Sequence, residues 1–477
     1  MTTPPSAPST HRPADRGTPS SVDHGAVADL RTRLRGRVVE PGERDFEALT
    51  RVMAVDVTGR PALLARPTDA ADVVEVLRFS RAAGLPLTVR SGGHGGAGHG
   101  TVDGGVVVDV RDLTSIDLDL ASRTVWAGAG LTAGELTAAT AEHGLAVGFG
   151  DTGSVGISGI TLGGGVGWLS RAHGLTIDNL LAAEVVTAAG EVLLVDDTSH
   201  PELFWALRGG GGNFGVVTRL RYRLRPVDGV VGGMLVLPAT PEVVAGFVAA
   251  AEAAPEELGC IMNVMTCPPL PFVPQELHGQ LVVMGLLCFA GPEEDGAAAL
   301  APFRALAPPL ADLVRPIPYP EMFPPADPEY RPTAVSRTLM MRTVDLDLAR
   351  TILGHLEASD APVRVVQVRA LGGAIARVPA QDTAYAHRSS RLMTNVAAFY
   401  SGPDDRPARA AWVAELSALL DQGDPGLYVN FLGDDGPDRV RAAYPGSTWD
   451  RLAAVKATYD PDNVFRRNHN VPPAAQG

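Results

Sequence analysis

Three glycine-rich segments give this chain a large supply of accessible backbone N–H groups. They span residues 92–100, 150–167 and 209–215. Glycine has no Cβ, so its N–H can approach a ligand closely, and neighbouring N–H donors can surround a pyrophosphate without lysine or arginine. One such segment alone could be only a tight turn. Three in one chain predict a dinucleotide site.

The third segment satisfies the pattern G-x-G-x-x-G from Gly210 to Gly215. That pattern indicates a Rossmann NAD site only where it follows a strand and opens a helix. Here a helical stretch, Pro201–Leu207, precedes it and an alternating, strand-like stretch at 216–224 follows it. The context therefore argues against NAD.

The sequence gives little support for a metal site. The 11 histidines are scattered, and the widely spaced Cys260, Cys267 and Cys288 form no CxxC pair. A protein metal site needs three or four such ligands at short, recurring spacings. Three cysteines are also too few for a disulfide framework, which favours a reducing compartment.

Alternating strands and helices must position the glycine segments. The first segment follows a predicted strand, Leu87–Arg90, and Gly84 ends the helix before it, for which Thr68 is the expected cap. Further strands are predicted at 62–65, 106–110 and 124–127, with a hairpin at 183–195.

The pattern of strand-like and helical stretches changes after Tyr222. Strand-like runs at 281–287 and 363–368 alternate with Pro-rich turns and with four helical blocks. This pattern predicts an α+β domain with an antiparallel sheet. The helical blocks are 241–253, 296–306, 345–358 and 406–420, and a further helix is predicted at 449–459.

Two strings of residues resemble the berberine bridge enzyme family within the vanillyl alcohol oxidase superfamily. The flavin-domain string is Arg90-Ser91-Gly92-Gly93-His94-Gly95, followed by Gly150-x4-Val155-Gly156-x2-Gly159-x2-Leu162-Gly163-Gly164-Gly165-x-Gly167-x-Leu169. The tail string is Tyr428-x-Asn430, with Tyr459-Asp460-Pro461-x-Asn463-x-Phe465-Arg466 after it. The resemblance extends from about residue 44 to residue 470.

The resemblance implies FAD as cofactor and an α+β fold: a PCMH-type FAD-binding domain of two α+β subdomains, and a substrate domain with an antiparallel sheet covered by helices. It implies an FAD domain at 29–226, a substrate domain at 227–425, and a tail at 426–477 that returns to the FAD domain. The composition of the segment before them predicts a disordered leader at 1–28. The predicted cofactor-binding residues are Arg90, Ser91, Gly92, Gly93, His94, Gly95, His99, Gly150, Thr152, Val155, Gly156, Gly159, Leu162, Gly163, Gly164, Gly165, Gly167, Trp168, Leu169, Gly215, Val216, Val217, Tyr428 and Asn430. Residues 163–165 are expected to pass beneath the pyrophosphate or the flavin ring.

In that family a histidine of the Arg-Ser-Gly-Gly-His loop bonds covalently to the flavin 8α carbon, and the match assigns this role to His94. A neutral imidazole is a good nucleophile, and a glycine-flanked loop lets it lie close to the ring. For His99 we expect a structural role within the same loop. Many relatives add a cysteinyl link, but Thr152 stands at that position. The resemblance therefore implies FAD with a single covalent link through His94.

The catalytic base is open between several residues. Oxidation of an alcohol by a flavin needs a group that takes the hydroxyl proton while hydride leaves. Relatives often carry a tyrosine where this chain has Phe431. Tyr428 is the first candidate, Tyr385 and His387 follow, and Tyr400 stands behind them.

Composition limits the partners. With 40 Lys+Arg against 54 Asp+Glu, the net charge of −14 argues against nucleic acid, and charged residues, Gly and Pro interrupt every apolar run that could span a membrane. Residues 1–28 lack the apolar block of a secretory signal. We expect a cytoplasmic enzyme with a small-molecule substrate and O2 as partners, while the oligomeric state is open.

The implied reaction is transfer of a hydride from a hydroxyl-bearing small molecule to flavin N5, with electrons passed to O2 and release of H2O2. One alternative is oxidative cyclisation or dehydrogenation of a secondary metabolite on the same flavin. A second alternative is a flavin- or ligand-binding protein without turnover.

Overall fold

The computed structural model describes residues 22–323, 333–434 and 436–475. The first half holds a four-stranded sheet in the order β1-β2-β4-β3 and a five-stranded sheet in the order β5-β6-β10-β8-β9. Its elements are α1 His24–Arg33, β1 Arg37–Val39, α2 Phe46–Thr50, β2 Leu63–Arg66, α3 Ala70–Ala82, β3 Leu87–Arg90, β4 Val106–Asp109, β5 Ile116–Asp119, β6 Thr124–Gly128, α4 Ala133–Ala141, β7 Leu145–Ala146, α5 Ile157–Leu162, α6 Ser170–His173, β8 Leu180–Val186, β9 Val192–Val195, α7 Pro201–Leu207, β10 Val216–Arg223 and β11 Arg225–Pro226.

Local chemistry explains the elements around the first glycine segment. Strand β4 pairs in parallel with β2 and β3, and its valines are buried, as expected for parallel strands covered on both faces. The cap of α3 is Asp69, whose carboxylate accepts from Asp72 N at 2.9 Å, rather than Thr68. The predicted Thr68 cap is therefore wrong: its hydroxyl donates to the Asp72 carboxylate instead.

The predicted leader is too long at its C-terminal end. Helix α1 begins at His24 and buries Val27 and Leu30 in the first core, so residues 24–28 belong to the folded domain. Residues 1–21 lie outside the described residues.

The second domain is built on an eight-stranded antiparallel sheet in the order β15-β12-β14-β13-β18-β19-β17, with β16 paired to β12. One face packs against α8, α9, α10 and α12 to form a separate core. Its elements are β12 Val230–Pro238, α8 Pro241–Ala253, β13 Leu258–Thr266, β14 Leu281–Phe289, α9 Glu293–Arg304, β15 Ala311–Asp312, β16 Arg315–Ile317, β17 Ala334–Met341, α10 Leu346–Ala358, β18 Arg364–Ala370, α11 Ala374–Arg377, β19 Leu392–Phe399 and α12 Arg406–Leu420.

The opposite face of this sheet meets the first domain. Side chains of a strand alternate between faces, so Met262 and Val264 join the helix-covered core while Ile261 packs against Trp168. Gly259 lies so close to the first domain that a Cβ there would approach the Trp168 carbonyl oxygen to 2.1 Å.

The tail returns to the first domain. Its helices are α13 Pro437–Ala443 and α14 Ser447–Tyr459, and Leu452, Phe465 and Val471 are buried in the first core. The α+β prediction is confirmed. None of the helices in the described segments is sufficiently long and apolar to cross a membrane.

Candidate functional site

A cleft of about 890 Å³ opens between the two domains. This is the size of a pocket for a large organic ligand. Its first-domain wall includes residues 53–57, the loops at 89–100 and 150–156 and the turn at 211–213. The tail adds residues 428–434 and 467–469, and the second domain adds side chains of strands β17, β18 and β19.

Glycines allow the two long loops to touch. A Cβ on Gly92 would lie 2.4 Å from Gly156 N, and a Cβ on Gly156 would lie 2.0 Å from the Ser91 hydroxyl oxygen. Side chains at these positions would force the backbones apart, because real Cβ atoms do not approach so closely. The glycines at these two positions therefore allow the two loops to pack against each other in the cleft wall.

His94 lies in the cleft wall and is bound to the second loop. Its Nε2 lies 3.2 Å from the Ser154 hydroxyl oxygen, and burial lowers the pKa of His94 despite the contact with Ser154. A lowered pKa keeps the imidazole neutral near pH 7, which leaves a nitrogen lone pair for bond formation.

Two polar side chains in the cleft wall hold atoms without a protein partner. Arg90 pairs with Asp109 at 2.8 Å through Nη2, while its Nε and Nη1 are buried and unpartnered. The Oδ1 of Asn468 is also buried and unpartnered. Buried polar atoms are costly unless they are hydrogen-bonded, so the cleft suits a polar ligand.

The third glycine segment is held by the tail. Lys456 is fully buried and donates to Asn213 O at 2.7 Å, Phe465 O at 2.9 Å and the Asp460 carboxylate at 2.6 Å. Burial lowers the pKa of Lys456, and Asp460 counteracts this. The ion pair thus fastens the 211–213 turn to the C-terminal loop.

The glycines at 163–165 surround a tyrosine of the tail. Gly165 N and Val166 N each donate to the Tyr428 hydroxyl oxygen at 3.1 Å, and Asn430 Nδ2 donates to it at 2.9 Å. A Cβ on Gly163 would lie 2.0 Å from Asn430 Oδ1. Residues 163–165 are not among the residues that line the cleft, and the expectation that they pass beneath the pyrophosphate or the flavin ring stays a prediction.

Comparisons with known proteins agree with this arrangement. The FAD binding domain family matches residues 61–196, and the berberine and berberine-like family matches residues 427–472. An FAD-linked oxidoreductase of Dictyostelium discoideum is 30% identical over 92% of this chain and 95% of its own length. The chain belongs to the berberine bridge enzyme-like family of FAD-linked oxidoreductases.

Two further comparisons concern one kind of enzyme. (R)-6-hydroxynicotine oxidase of Paenarthrobacter nicotinovorans is 31% identical, covering 92% of this chain and 97% of the relative. The crystal structure of 6-hydroxy-D-nicotine oxidase from Arthrobacter nicotinovorans superposes with a TM-score of 0.82 at 27% identity, covering 92% of this chain and 98% of that one. The two-domain architecture is thus shared along almost the whole chain.

The cleft of this family member fits FAD. Residues of three glycine-rich segments and the neutral imidazole of His94 line it, which suits a dinucleotide with an anionic pyrophosphate. The predicted cofactor residues in the cleft wall are Arg90, Ser91, Gly92, Gly93, His94, Gly95, His99, Gly150, Thr152, Val155, Gly156, Gly159, Tyr428 and Asn430.

The other predicted cofactor residues lie behind this wall. Gly167 and Trp168 line a separate cavity of about 20 Å³, which is large enough for about one water molecule. The remaining ones outside the wall are Leu162, Gly163, Gly164, Gly165, Leu169, Gly215, Val216 and Val217.

The candidates for the base are differently placed. Tyr385 and His387 are buried outside the cleft wall, and His387 Nε2 lies 2.9 Å from Ala443 O. Burial raises the pKa of Tyr385 and lowers that of His387. Tyr400 hydrogen-bonds to Asp56. The contacts of His387 and Tyr400 favour structural roles for these two residues, whereas the Tyr385 hydroxyl is buried without a hydrogen-bond partner.

Tyr428 reaches the cleft, but three N–H donors already occupy its hydroxyl oxygen. Burial raises its pKa above the usual value, although these donors and Arg369 oppose the rise. A base needs a free lone pair and an accessible anion, so the contacts favour a positioning role. The assignment of Tyr428 as base stays a prediction.

Sequence reasoning missed the second wall. Asn263, Gln367 and Asn395 are direct neighbours on β13, β18 and β19, and Gln367 Nε2 donates to Asn263 Oδ1 at 2.9 Å. Gln367 and Asn395 line the cleft. No local pattern identifies such a row, because its members are far apart in sequence and meet only through strand register.

Metal ligands do not gather at this site. Within residues 22–323, 333–434 and 436–475, no three His, Cys, Asp or Glu side chains come together in a way that could hold a metal ion.

Proposed function

We propose that this family member is an oxidase that takes a hydride from a hydroxyl-bearing small molecule and passes the electrons to O2. The observation that carries the proposal is the interdomain cleft, where one wall offers backbone N–H groups and a neutral imidazole and the other offers uncharged amides. The similarity to oxidases along almost the whole chain supports it.

The two walls of the cleft have different roles in this proposal. Residues of the 89–100 and 150–156 loops hold the cofactor, and Gln367, Asn395 and Phe431 face the substrate. The flavin, when bound, supplies the hydride acceptor and transfers the electrons onward to oxygen, which is released as H2O2. Residues of the tail line the cleft, where they would limit access of water to the reacting carbon.

We further propose one covalent link to FAD, through His94. The imidazole is neutral, lies in the cleft and is oriented by Ser154. Thr152 also lines the cleft, but a hydroxyl has far lower nucleophilicity than a thiolate and adds no second link. The protein should therefore keep its yellow colour after acid precipitation.

The test is a substrate panel with two readouts. Purified yellow protein is mixed anaerobically with alcohols, sugars, phenols and 6-hydroxynicotine, the compound after which one relative is named. Bleaching of the flavin absorbance and H2O2 release upon admission of air are expected with at least one alcohol. Bleaching only by an amine would favour dehydrogenation next to nitrogen, and a flavin that dithionite alone reduces would favour a binding protein.

A further inference from the structure

One carboxylate stands where the two walls of the cleft meet. Asp151 belongs to the loop that also carries Ser154, the partner of His94, and it lines the cleft beside Thr152. Its side chain keeps a relative exposure of 26%. The carboxylate is therefore in reach of a ligand bound between the domains.

The contacts of Asp151 connect it to the second-domain wall of the cleft. Its Oδ2 accepts from Arg369 Nη2, and Arg369 on β18 is 7% exposed. Arg369 also donates to Gln367 Oε1 from Nη2 at 2.8 Å and from Nε at 3.1 Å. Gln367 in turn donates to Asn263. This chain of contacts fixes the carboxylate from the second domain.

The Oδ1 atom of Asp151 is left with a weak partner. It accepts from the Thr152 hydroxyl at 3.2 Å, and a carboxylate oxygen accommodates about two hydrogen bonds. Oδ1 therefore has capacity for a donor from the substrate. The aromatic ring of Phe431 lies with its centre 5.2 Å from the Cζ of Arg369, and it cannot accept a proton.

The other described carboxylates of the cleft have different surroundings. Asp56 accepts from the Tyr400 hydroxyl and faces Arg406 at 3.7 Å. Asp434 interacts with His99. Neither has a contact that ties it to the amides of β18 and β19, whereas Asp151 is joined to Gln367 through Arg369.

We propose that Asp151 is the catalytic base of the oxidation, with Arg369 as its positioning residue; this rests on the proposed function. In the step, the substrate O–H bond breaks and its proton passes to Asp151 while the C–H hydride leaves for the flavin, so an alcohol becomes a carbonyl compound. The proton then leaves Asp151 for solvent.

A carboxylate is a sufficient base for this step. Loss of hydride turns the alcohol into a protonated carbonyl, which is far more acidic than the alcohol itself. Arg369 holds the carboxylate in place through a direct ion pair, and a base within hydrogen-bond reach is the first requirement for the transfer. The phenol of Tyr428, with a raised pKa and an occupied oxygen, would need to be activated first.

The experiment measures anaerobic flavin reduction in the flavin-loaded protein. Asp151→Asn preserves shape and removes the basic oxygen, and it should lower the limiting rate of reduction by about 10²–10⁴-fold. The substrate dissociation constant, read from flavin spectral changes before reduction, should move by less than about 5-fold. Asp151→Ala should regain activity with added formate, which supplies a small carboxylate.

The matched control is Asp312→Asn. Asp312 also pairs with an arginine, Arg304 at 2.7 Å, and has a similar exposure of 27%, but it lies at the far sheet edge on β15. It should reduce at the wild-type rate. Arg369→Met should lower the limiting rate of flavin reduction while the protein keeps its bound flavin, and formate should not rescue it.

The outcomes separate the two proposals. If the wild-type flavin is reduced and Asp151→Asn reduces equally fast, Asp151 is not the base and the oxidase proposal stands. Failure of formate to rescue Asp151→Ala, with substrate affinity strongly weakened, would show a binding role instead. If no substrate reduces the wild-type flavin although dithionite does, both proposals fail.

Discussion

The two walls of the cleft are built on different principles. The first-domain wall is mostly backbone, and its loops at 89–100 and 150–156 touch at glycines where a Cβ has no room. The second-domain wall is made of side chains, Gln367 and Asn395, brought into one row by the register of adjacent strands. The first-domain wall presents backbone N–H groups, and the second-domain wall presents side-chain amides.

This difference separates two kinds of recognition. Backbone donors do not depend on side-chain identity, so the first wall suits a cofactor that never changes. Strand side chains can be exchanged without disturbing the ladder, because successive residues point to opposite faces. Substitutions of His94 and of the glycines in the first wall should therefore affect cofactor attachment and folding, whereas substitutions in the second wall should affect substrate rates.

The largest effect is expected at His94. His94→Ala removes the only nitrogen proposed to bond the cofactor, so flavin fluorescence should no longer stay with the polypeptide after denaturing electrophoresis. His99→Ala is the control, and it should keep the fluorescent band. Fluorescence that remains with the His94→Ala polypeptide would break the assignment of the first wall to cofactor attachment.

Gly156→Ala tests whether the contact between the two loops is essential. The added methyl would lie 2.0 Å from the Ser91 hydroxyl oxygen and 2.4 Å from Gly92 N, so we expect a loss of about 3 kcal/mol or more in the free energy of unfolding. Gly354→Ala on α10, where a Cβ meets nothing within 4 Å, should stabilise by about 0.5–1 kcal/mol. Urea denaturation measures both, and equal stabilities would contradict the close contact.

Tyr428→Phe tests the role of the tail tyrosine that accepts hydrogen bonds from Gly165 and Val166. It removes the acceptor of three N–H groups, and stranding buried donors should destabilise the protein by about 2–3 kcal/mol. If Tyr428 only positions the glycine loop, flavin reduction should slow by less than about 10-fold. A loss as large as that of Asp151→Asn would return the role of base to Tyr428.

The smallest expected effect is on how the free energy of unfolding depends on pH. Burial, and then His99, lower the pKa of His469 to about 4, and the two rings lie 5.0 Å apart. Because the unfolded chain binds this proton more readily, the stability contributed by neutral His469 is present above about pH 6.5 and is lost as pH falls toward 4. Between pH 7.5 and pH 5 this amounts to about 2 kcal/mol.

The check compares unfolding free energies of wild type and His469→Asn at both pH values. The variant should lose about 2 kcal/mol less than wild type upon acidification. Parallel losses would mean that other groups near the first wall, such as His99 with Asp434 and Arg467 beside it, dominate the acid sensitivity.

Sequence reasoning succeeded where the signal is local. The predicted helix at 406–420 agrees with Arg406–Leu420, and the hairpin at 183–195 appears as Leu180–Val186 and Val192–Val195. These elements follow from short-range periodicity and turn residues. The cap of α3 was misassigned by one residue because Thr68 and Asp69 are both good caps.

Reasoning from the sequence failed where the partner is distant. Gly163 leaves room for Asn430 of the tail, whose Oδ1 would lie 2.0 Å from a Cβ at that position. Their proximity depends on how the tail folds back, and nothing near residue 163 indicates it. The sequence does not indicate a role for Asp151 for the same reason, because its partner Arg369 lies 218 residues further along the chain.

The sequence by itself determined the family, the α+β class and the loops that face the cleft, because glycine spacing and helical or strand periodicity are properties of contiguous residues. Only the tertiary structure decided which tyrosine oxygen is already occupied, which amides share a row, and which carboxylate stands between the domains. Those relations arise from strand register and from the returning tail, which join residues hundreds of positions apart.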